Sequence, residues 1–163
     1  MIRAVTPDDA AAIIHIYNHY VTTTAISFET APVSEAEMRQ RILSYSAQFP
    51  WLVYEEAGQV LGYCYATPWK ARAAYAHSVE SSVYVDKACH ARGIGAALYR
   101  ALLAALASHP VHLVVAGITL PNEKSQRLHE KLGFQQVAHF AEIGRKQDQW
   151  QDVGYWALRL PTP

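Results

Sequence analysis

The sequence has few cysteines, no excess of either charge and no long apolar run. Cys64 and Cys89 are the only thiols in 163 residues. They form no CxxC pair and no zinc-ligand spacing, so two buried thiols and no metal site are expected. Fourteen Lys and Arg face fourteen Asp and Glu, for a formal net charge of zero. A nucleic-acid binder needs a basic face that displaces counterions, so this balance argues against one. No apolar stretch reaches the ~20 residues that span a bilayer. The start Met1-Ile2-Arg3-Ala4-Val5 is not a basic segment followed by an apolar one. A cytoplasmic chain without a membrane partner is the expectation.

What is present suffices to fold. Hydrophobic residues make up 51% and charged ones 17%, a balance that buries a core. No repeat or linker divides the chain, so residues 1–163 are expected to form one domain. Residues 2–5 read as a strand. Thr6-Pro7-Asp8-Asp9 opens a helix, with Pro at its first position and the acids at the positive end of its dipole. Ile13, Ile16, Tyr17 and Tyr20 give that helix an apolar stripe. Ser34 and Glu37 form a capping box for a second helix, which ends near residue 46. Segments 51–54 and 60–66 read as a hairpin, and 68–75 as a loop.

Residues 78–85 form a strand, and 93–108 an amphipathic helix. Segment 111–118 is apolar like a strand buried on both faces. Residues 122–132 make a short helix stopped by Gly133, and 135–142 and 153–160 are closing strands. This order predicts an α/β fold. The sheet is mixed, with a parallel pair across the 93–108 helix and helices on both faces.

The segment Val83-Tyr84-Val85-Asp86-Lys87-Ala88-Cys89-His90-Ala91-Arg92-Gly93-Ile94-Gly95-Ala96 carries the chemistry. A β-branched strand feeds a glycine-bearing loop that opens a helix. Free N–H groups and the dipole make such a place an anion site, and glycines let the backbone approach a pyrophosphate. Arg92 adds a positive charge. A dinucleotide fingerprint would need a third glycine where Leu98 stands, and a P-loop would need Gly-Lys-Ser/Thr. An Arg-Gly-x-Gly-Ala turn fits a coenzyme A pyrophosphate. A tight turn with no ligand stays open on this loop alone.

With this loop and segments along almost the whole chain, the sequence resembles the GNAT superfamily of acetyltransferases. Within it, the chain is similar to the phosphinothricin and methionine sulfoximine or sulfone N-acetyltransferases. The segments are Asn18-His19-Tyr20, Phe28-Glu29-Thr30, Pro68-Trp69-Lys70-Ala71-Arg72, Val79-Glu80-Ser81-Ser82, Leu120-Pro121-Asn122, Leu128-His129-Glu130-Lys131-Leu132-Gly133-Phe134 and Asp152-Val153-Gly154-Tyr155-Trp156. The resemblance implies a mixed, mostly antiparallel sheet whose central parallel strands splay apart around acetyl-CoA. It implies that Val83, Tyr84 and Val85 offer backbone groups to the pantetheine arm and thioester. Ala91, Arg92, Gly93, Ile94, Gly95 and Ala96 then hold the pyrophosphate, Asn122 bonds the pantetheine arm, and Lys131 lies near the coenzyme. His90 departs from the usual Gln or Arg. Such enzymes are typically homodimers, and segment 150–160 is a candidate interface.

The reaction needs a neutral amine, yet an α-amino group has a pKa near ~8, so a base is useful. Glu80 is the candidate, directly or through a water. A backbone N–H of Tyr84 or Val85 suits the oxyanion. At the position of a common GNAT tyrosine stands His129, as acid for the thiolate or as a base joined to Glu80. Tyr99 is a weaker candidate, because its spacing also suits packing. Lys70 and Arg72, on a loop with Ala71 and Tyr75, suit a substrate that carries anionic oxygens besides its amine. Ser81 and Ser82 are expected to contact it beside Glu80. The reading is acetyl transfer from acetyl-CoA to a small amino acid analogue by direct attack. Another amine (a polyamine or a protein N-terminus) and a non-catalytic acetyl-CoA sensor are the alternatives.

Overall fold

The computed structural model describes residues 1–161. Strand β1 (Ile2–Ala4) leads through a 3-10 turn at Pro7–Asp9 into α1 (Ala10–Thr23), followed by α2 (Glu35–Ser46). Next come β2 (Trp51–Glu56), β3 (Gln59–Pro68) and β4 (Ser78–Val85), then α3 (Ile94–Leu106) and β5 (Leu113–Leu120). Helix α4 (Glu123–Lys131), β6 (Gln135–Lys146) and β7 (Gln149–Arg159) complete the order. The strands form one sheet, β1-β2-β3-β4-β5-β7-β6. Every neighbouring pair is antiparallel except β4 and β5, which the α3 crossover makes parallel.

The helices cover both faces. Ile13 and Ile16 of α1 and Met38 and Ile42 of α2 pack on Trp51, Val53 and Tyr63. On the other face Ile94, Leu98, Leu102 and Leu106, spaced by four along α3, pack on Val79, Val114, Ala116 and Trp156. Alternation along β4 follows from this. Val79, Ser81 and Val83 turn toward α3, while Glu80, Ser82 and Tyr84 turn toward α1 and α2.

Strands β4 and β5 are each eight residues long. They pair only where Ser78–Glu80 meet Leu113–Val115. Beyond that they part, and the V between them is where the candidate site lies.

Local departures from the sequence reading have physical causes. The Asp9 carboxylate accepts two 2.8 Å bonds from Arg3 and one of 2.7 Å from the Thr6 N–H, so the first turn is 3-10. Ser34 Oγ accepts the Glu37 N–H at 3.2 Å, but the Glu37 carboxylate pairs with Arg41, so only half of the capping box forms. Val111 is buried, yet β5 begins two residues later, since His112 and Leu113 both donate to the His77 carbonyl. The β6–β7 hairpin is longer than expected and turns on Gln147 and Asp148, both left-handed at φ 54° and 56°. Its tip is largely exposed on both faces, so no apolar alternation marks it. Among the described residues, no helix is long and apolar enough to cross a membrane. Cys64 and Cys89 are buried and unpaired.

Candidate active site

Antiparallel pairing alternates residues that bond across with residues that face away. The β3–β4 ladder is bounded by Trp69 N–H to Ser78 O (3.1 Å) and Asp86 N–H to Leu61 O (2.9 Å). With Val79 opposite Pro68 and Val85 opposite Gly62, the backbones of Glu80, Ser82 and Tyr84 bond to β3. Val83 and Val85 therefore turn their N–H and C=O groups into the V. The Tyr84 N–H, expected to be open to a ligand, is committed to β3, and Val83 takes its place beside Val85. The Val85 carbonyl accepts from the Tyr20 hydroxyl, which leaves the Val85 N–H open.

The loop after β4 enters α3 through left-handed Ala91 (φ 66°) and Gly93 (φ 77°). A Cβ on Gly93 would meet nothing within 4 Å, so this glycine serves the backbone conformation rather than space. The first helical bond runs from Ala97 N–H to Gly93 O at 3.0 Å. The N–H groups of Ile94, Gly95 and Ala96 stay open at the positive end of the helix dipole. With Val83, Val85 and Asn122 these residues line a groove of about 310 Å³. Asn122 caps α4 by accepting the Ser125 N–H at 3.2 Å, which leaves its amide NH₂ for a ligand. A chain of open N–H donors ending at a helix N-terminus fits an extended ligand that carries amides and a diphosphate, as coenzyme A does.

Two of the expected cations are elsewhere. Arg92 pairs with Glu56 at 2.6 Å, and Lys131 lies exposed on the last turn of α4. Lys124 lines the groove instead. In the sequence it is one charge on a polar helix, and only the approach of α4 to α3 singles it out.

On the α3 side of the V, three side chains converge. His129 is 3% exposed. Its Nδ1 lies 2.7 Å from the Ser125 carbonyl, which only accepts, so Nδ1 carries the proton. Nε2 then accepts the Tyr99 hydroxyl at 2.8 Å. The Tyr99 oxygen in turn accepts from Ser81 Oγ at 2.9 Å. The chain has one direction: Ser81 to Tyr99 to His129. Burial disfavours the imidazolium and holds His129 below the usual histidine range, and it pushes the Tyr99 phenol far up. These side chains line a narrow cavity of about 60 Å³ between the strands. Ser81, expected beside Glu80, is carried by the strand's period of two onto the opposite face. Tyr99, with spacing that also suits packing, is the centre of the cluster.

Glu80 stands on the α1/α2 side, half-buried. Burial raises its carboxyl above the usual range, and the Lys70 ammonium partly counters this. Across the V, a Cβ on Gly117 would stand 3.1 Å from the Tyr155 ring and 3.6 Å from Glu80 Oε1. Glycine at this position leaves the space that the carboxylate and the phenol share. Ser82 faces the same way. Lys70, with Nζ 5.2 Å from the Trp69 ring centre, joins Trp69 and Tyr155 at the lip of an open groove of about 750 Å³. Ala71, Arg72 and Tyr75 lie outside its lining on an exposed stretch, and Arg72 has no ion pair among the described residues. Glu80 and His129 occupy opposite faces, so they reach a common ligand only through the gap between the strands. Among the described residues, no three His, Cys, Asp or Glu side chains are grouped to hold a metal.

Known proteins resemble this chain along almost its whole length. The model of the acetyltransferase (GNAT) domain family matches residues 2–154. A phosphinothricin N-acetyltransferase of Streptomyces viridochromogenes is 42% identical, over 99% of this chain and 90% of its own. An L-methionine sulfoximine/L-methionine sulfone acetyltransferase of Salmonella typhimurium is 36% identical, over 98% and 94%. The structure of a GNAT phosphinothricin acetyltransferase from Sinorhizobium meliloti in complex with acetyl-CoA superposes with a TM-score of 0.94 at 30% identity, covering 98% of this chain and 88% of that one.

Proposed function

The chain belongs to the GNAT acetyltransferase family and is an acetyl-CoA-dependent N-acetyltransferase, and from that premise we propose which amine it acetylates and how. The substrate is a small amino acid analogue that carries, besides its α-amino group, a carboxylate and a phosphinate, sulfoximine or sulfone oxygen. The observation that carries this reading is Glu80 at the parting of β4 and β5, half-buried, with its carboxyl pushed up and the Lys70 charge beside it.

The 310 Å³ groove seats acetyl-CoA, with its diphosphate on the N–H groups of Ile94 to Ala96 and its pantetheine arm along Val83, Val85 and Asn122. The thioester then lies in the V. Glu80, raised toward the working pH, takes the amine proton directly or through a water. The nitrogen attacks the thioester carbonyl in a ternary complex, and the Val83 or Val85 N–H stabilises the charge that grows on its oxygen. On the opposite face, the second proton that the nitrogen sheds as the C–N bond forms passes through Ser81 and Tyr99 to His129, and it returns by the same path to the coenzyme sulfur as the C–S bond breaks. Lys70 and Arg72 meet the substrate's anionic oxygens, which requires the exposed Arg72 to turn inward when substrate binds.

A thiol-release assay tests this reading with phosphinothricin, methionine sulfoximine, methionine sulfone, ordinary amino acids, spermidine and a peptide N-terminus. Rapid release with the first three is expected. Release confined to spermidine or the peptide would replace the substrate class, and acetyl-CoA binding without any product would favour a sensor. Lys70→Ala and Arg72→Ala should each raise KM for the anionic substrates about tenfold, the loss of one charge-assisted hydrogen bond. KM values that stay put would remove this loop from the substrate site.

The proposal includes a homodimer. Of the candidate segment 150–160 only Trp150 (61%) is an exposed large hydrophobic, since β7 lies inside the sheet and Val153, Trp156 and Leu160 are buried. The exposed apolar edge is instead Val137 (62%), Phe140 (47%) and Ile143 (51%) of β6 beside Trp150, and such an edge favours self-association. Light scattering should return twice the chain mass. A monomer at tens of micromolar would end this part of the reading.

A further inference from the structure

We infer that Tyr20 and His90 form a positioning pair that orders the coenzyme groove by tying its loop end to its strand end. This rests on the groove being the acetyl-CoA seat. Val85 lies past the point where β4 loses its β5 partner, with its N–H and C=O turned into the V. The Tyr20 hydroxyl reaches the carbonyl from α1. A carbonyl oxygen has no proton to give, so the phenolic proton is committed to it. Burial pushes the Tyr20 phenol up to about 12, which keeps that proton in place.

His90 Nε2 lies 2.8 Å from the same hydroxyl. The phenol's one proton is already used, so Nε2 must carry a hydrogen and donate it to the Tyr20 oxygen. The bonds therefore run in one direction, from His90 to Tyr20 to the Val85 carbonyl. They cross from the loop before α3 to the open edge of β4, and all three residues line the groove.

Two consequences follow for a ligand. With one lone pair of its carbonyl already taken by Tyr20, the wholly free group of Val85 is its N–H, so an oxygen acceptor pairs best there, as the thioester or pantetheine carbonyls do. The second concerns the loop. Ala91 and Gly93 are left-handed and His90 is exposed. Arg92 ties this stretch to Glu56 of β2, and the side-chain bond to Tyr20 is what sets it against β4. The groove is thereby shaped before a ligand arrives, which lowers the ordering cost of binding. What position 90 must supply is an N–H donor of suitable reach, a condition that glutamine also meets.

Calorimetric titration with acetyl-CoA tests the pair in the wild type, Tyr20→Phe, His90→Ala, His90→Gln and the Tyr20→Phe/His90→Ala double variant. Tyr20→Phe keeps the ring packed on Tyr84, whose centroid is 5.4 Å away, and position 90 is exposed, so these variants should fold. Each of Tyr20→Phe and His90→Ala should weaken binding about three- to tenfold, as expected for one hydrogen bond. The double variant should be no weaker than the worse single, because the two residues act as a unit. His90→Gln should stay within about twofold of the wild type, and KM for the amine should not move. Wild-type affinity in both single variants, or additive losses in the double, would overturn the pair while leaving the coenzyme seat intact. Failure of the wild type itself to bind acetyl-CoA would remove the seat and the pair together.

Discussion

Exchanging Glu80 for glutamine should lower kcat about a hundred- to a thousandfold, the usual worth of a positioned proton acceptor, and leave acetyl-CoA affinity unchanged. The substitution preserves shape and removes only the basic oxygen. Coenzyme affinity stays because the groove is built from Val83, Val85, Ile94 to Ala96 and Asn122, while Glu80 faces away from β5's α3 side. The wild-type pH profile should fall on the acid side as the raised Glu80 carboxyl takes up its proton, and the variant should lose that limb.

Stability should move in the opposite sense. Glu80 has a folded pKa above its unfolded value, so the native state binds more protons than the unfolded one between the two. Burial of the carboxylate therefore costs stability as pH rises through that window. Glu80→Gln should melt higher than the wild type at pH 7 and gain nothing near pH 4. An unchanged kcat would remove Glu80 from the mechanism, whatever the melting temperature does.

The second large effect concerns the buried chain on the other face. Tyr99→Phe and His129→Ala should each lower kcat about ten- to a hundredfold, and together no more than the larger single loss, because the two act through one path. They should differ in stability. His129→Ala leaves the buried Tyr99 hydroxyl without its acceptor, which costs about 1–3 kcal/mol on top of the lost packing. Tyr99→Phe leaves the buried His129 Nε2 without its donor but keeps the ring, so it escapes the packing loss and its cost is smaller.

His129 also sets a pH limit. Its folded pKa lies below the unfolded value, so stability is complete above about 6.5 and is lost as pH falls toward the folded pKa. His129→Ala should lack this dependence. Full activity in Tyr99→Phe would make the Ser81–Tyr99–His129 chain a packing feature only.

Parts of this site were legible in the sequence and parts were not. The turn from β4 into α3 shows itself locally, because a left-handed backbone at Gly93 and free N–H groups at a helix start depend on neighbours in the chain. The start of a helix at Asn122 and its stop at Gly133 are equally local. The partners of Ser81, Tyr99 and His129 lie 18 and 30 residues apart, and no spacing rule joins them. Arg92 reads as a phosphate ligand until Glu56, 36 residues earlier, is found beside it. Lys124 becomes a groove residue only because α4 approaches α3.

The sequence by itself determined the order of strands and helices, the parallel crossover, the glycine-bearing turn and the family, since these follow from periodicity, caps, turn residues and segments read along the chain. The tertiary structure alone decided how far β4 and β5 stay paired, that Glu80 and His129 lie on opposite faces, and that the Tyr20 hydroxyl bonds the Val85 carbonyl. Those outcomes are set by which surfaces pack and which backbone groups lose their partners, and both depend on residues far apart in the chain coming into contact.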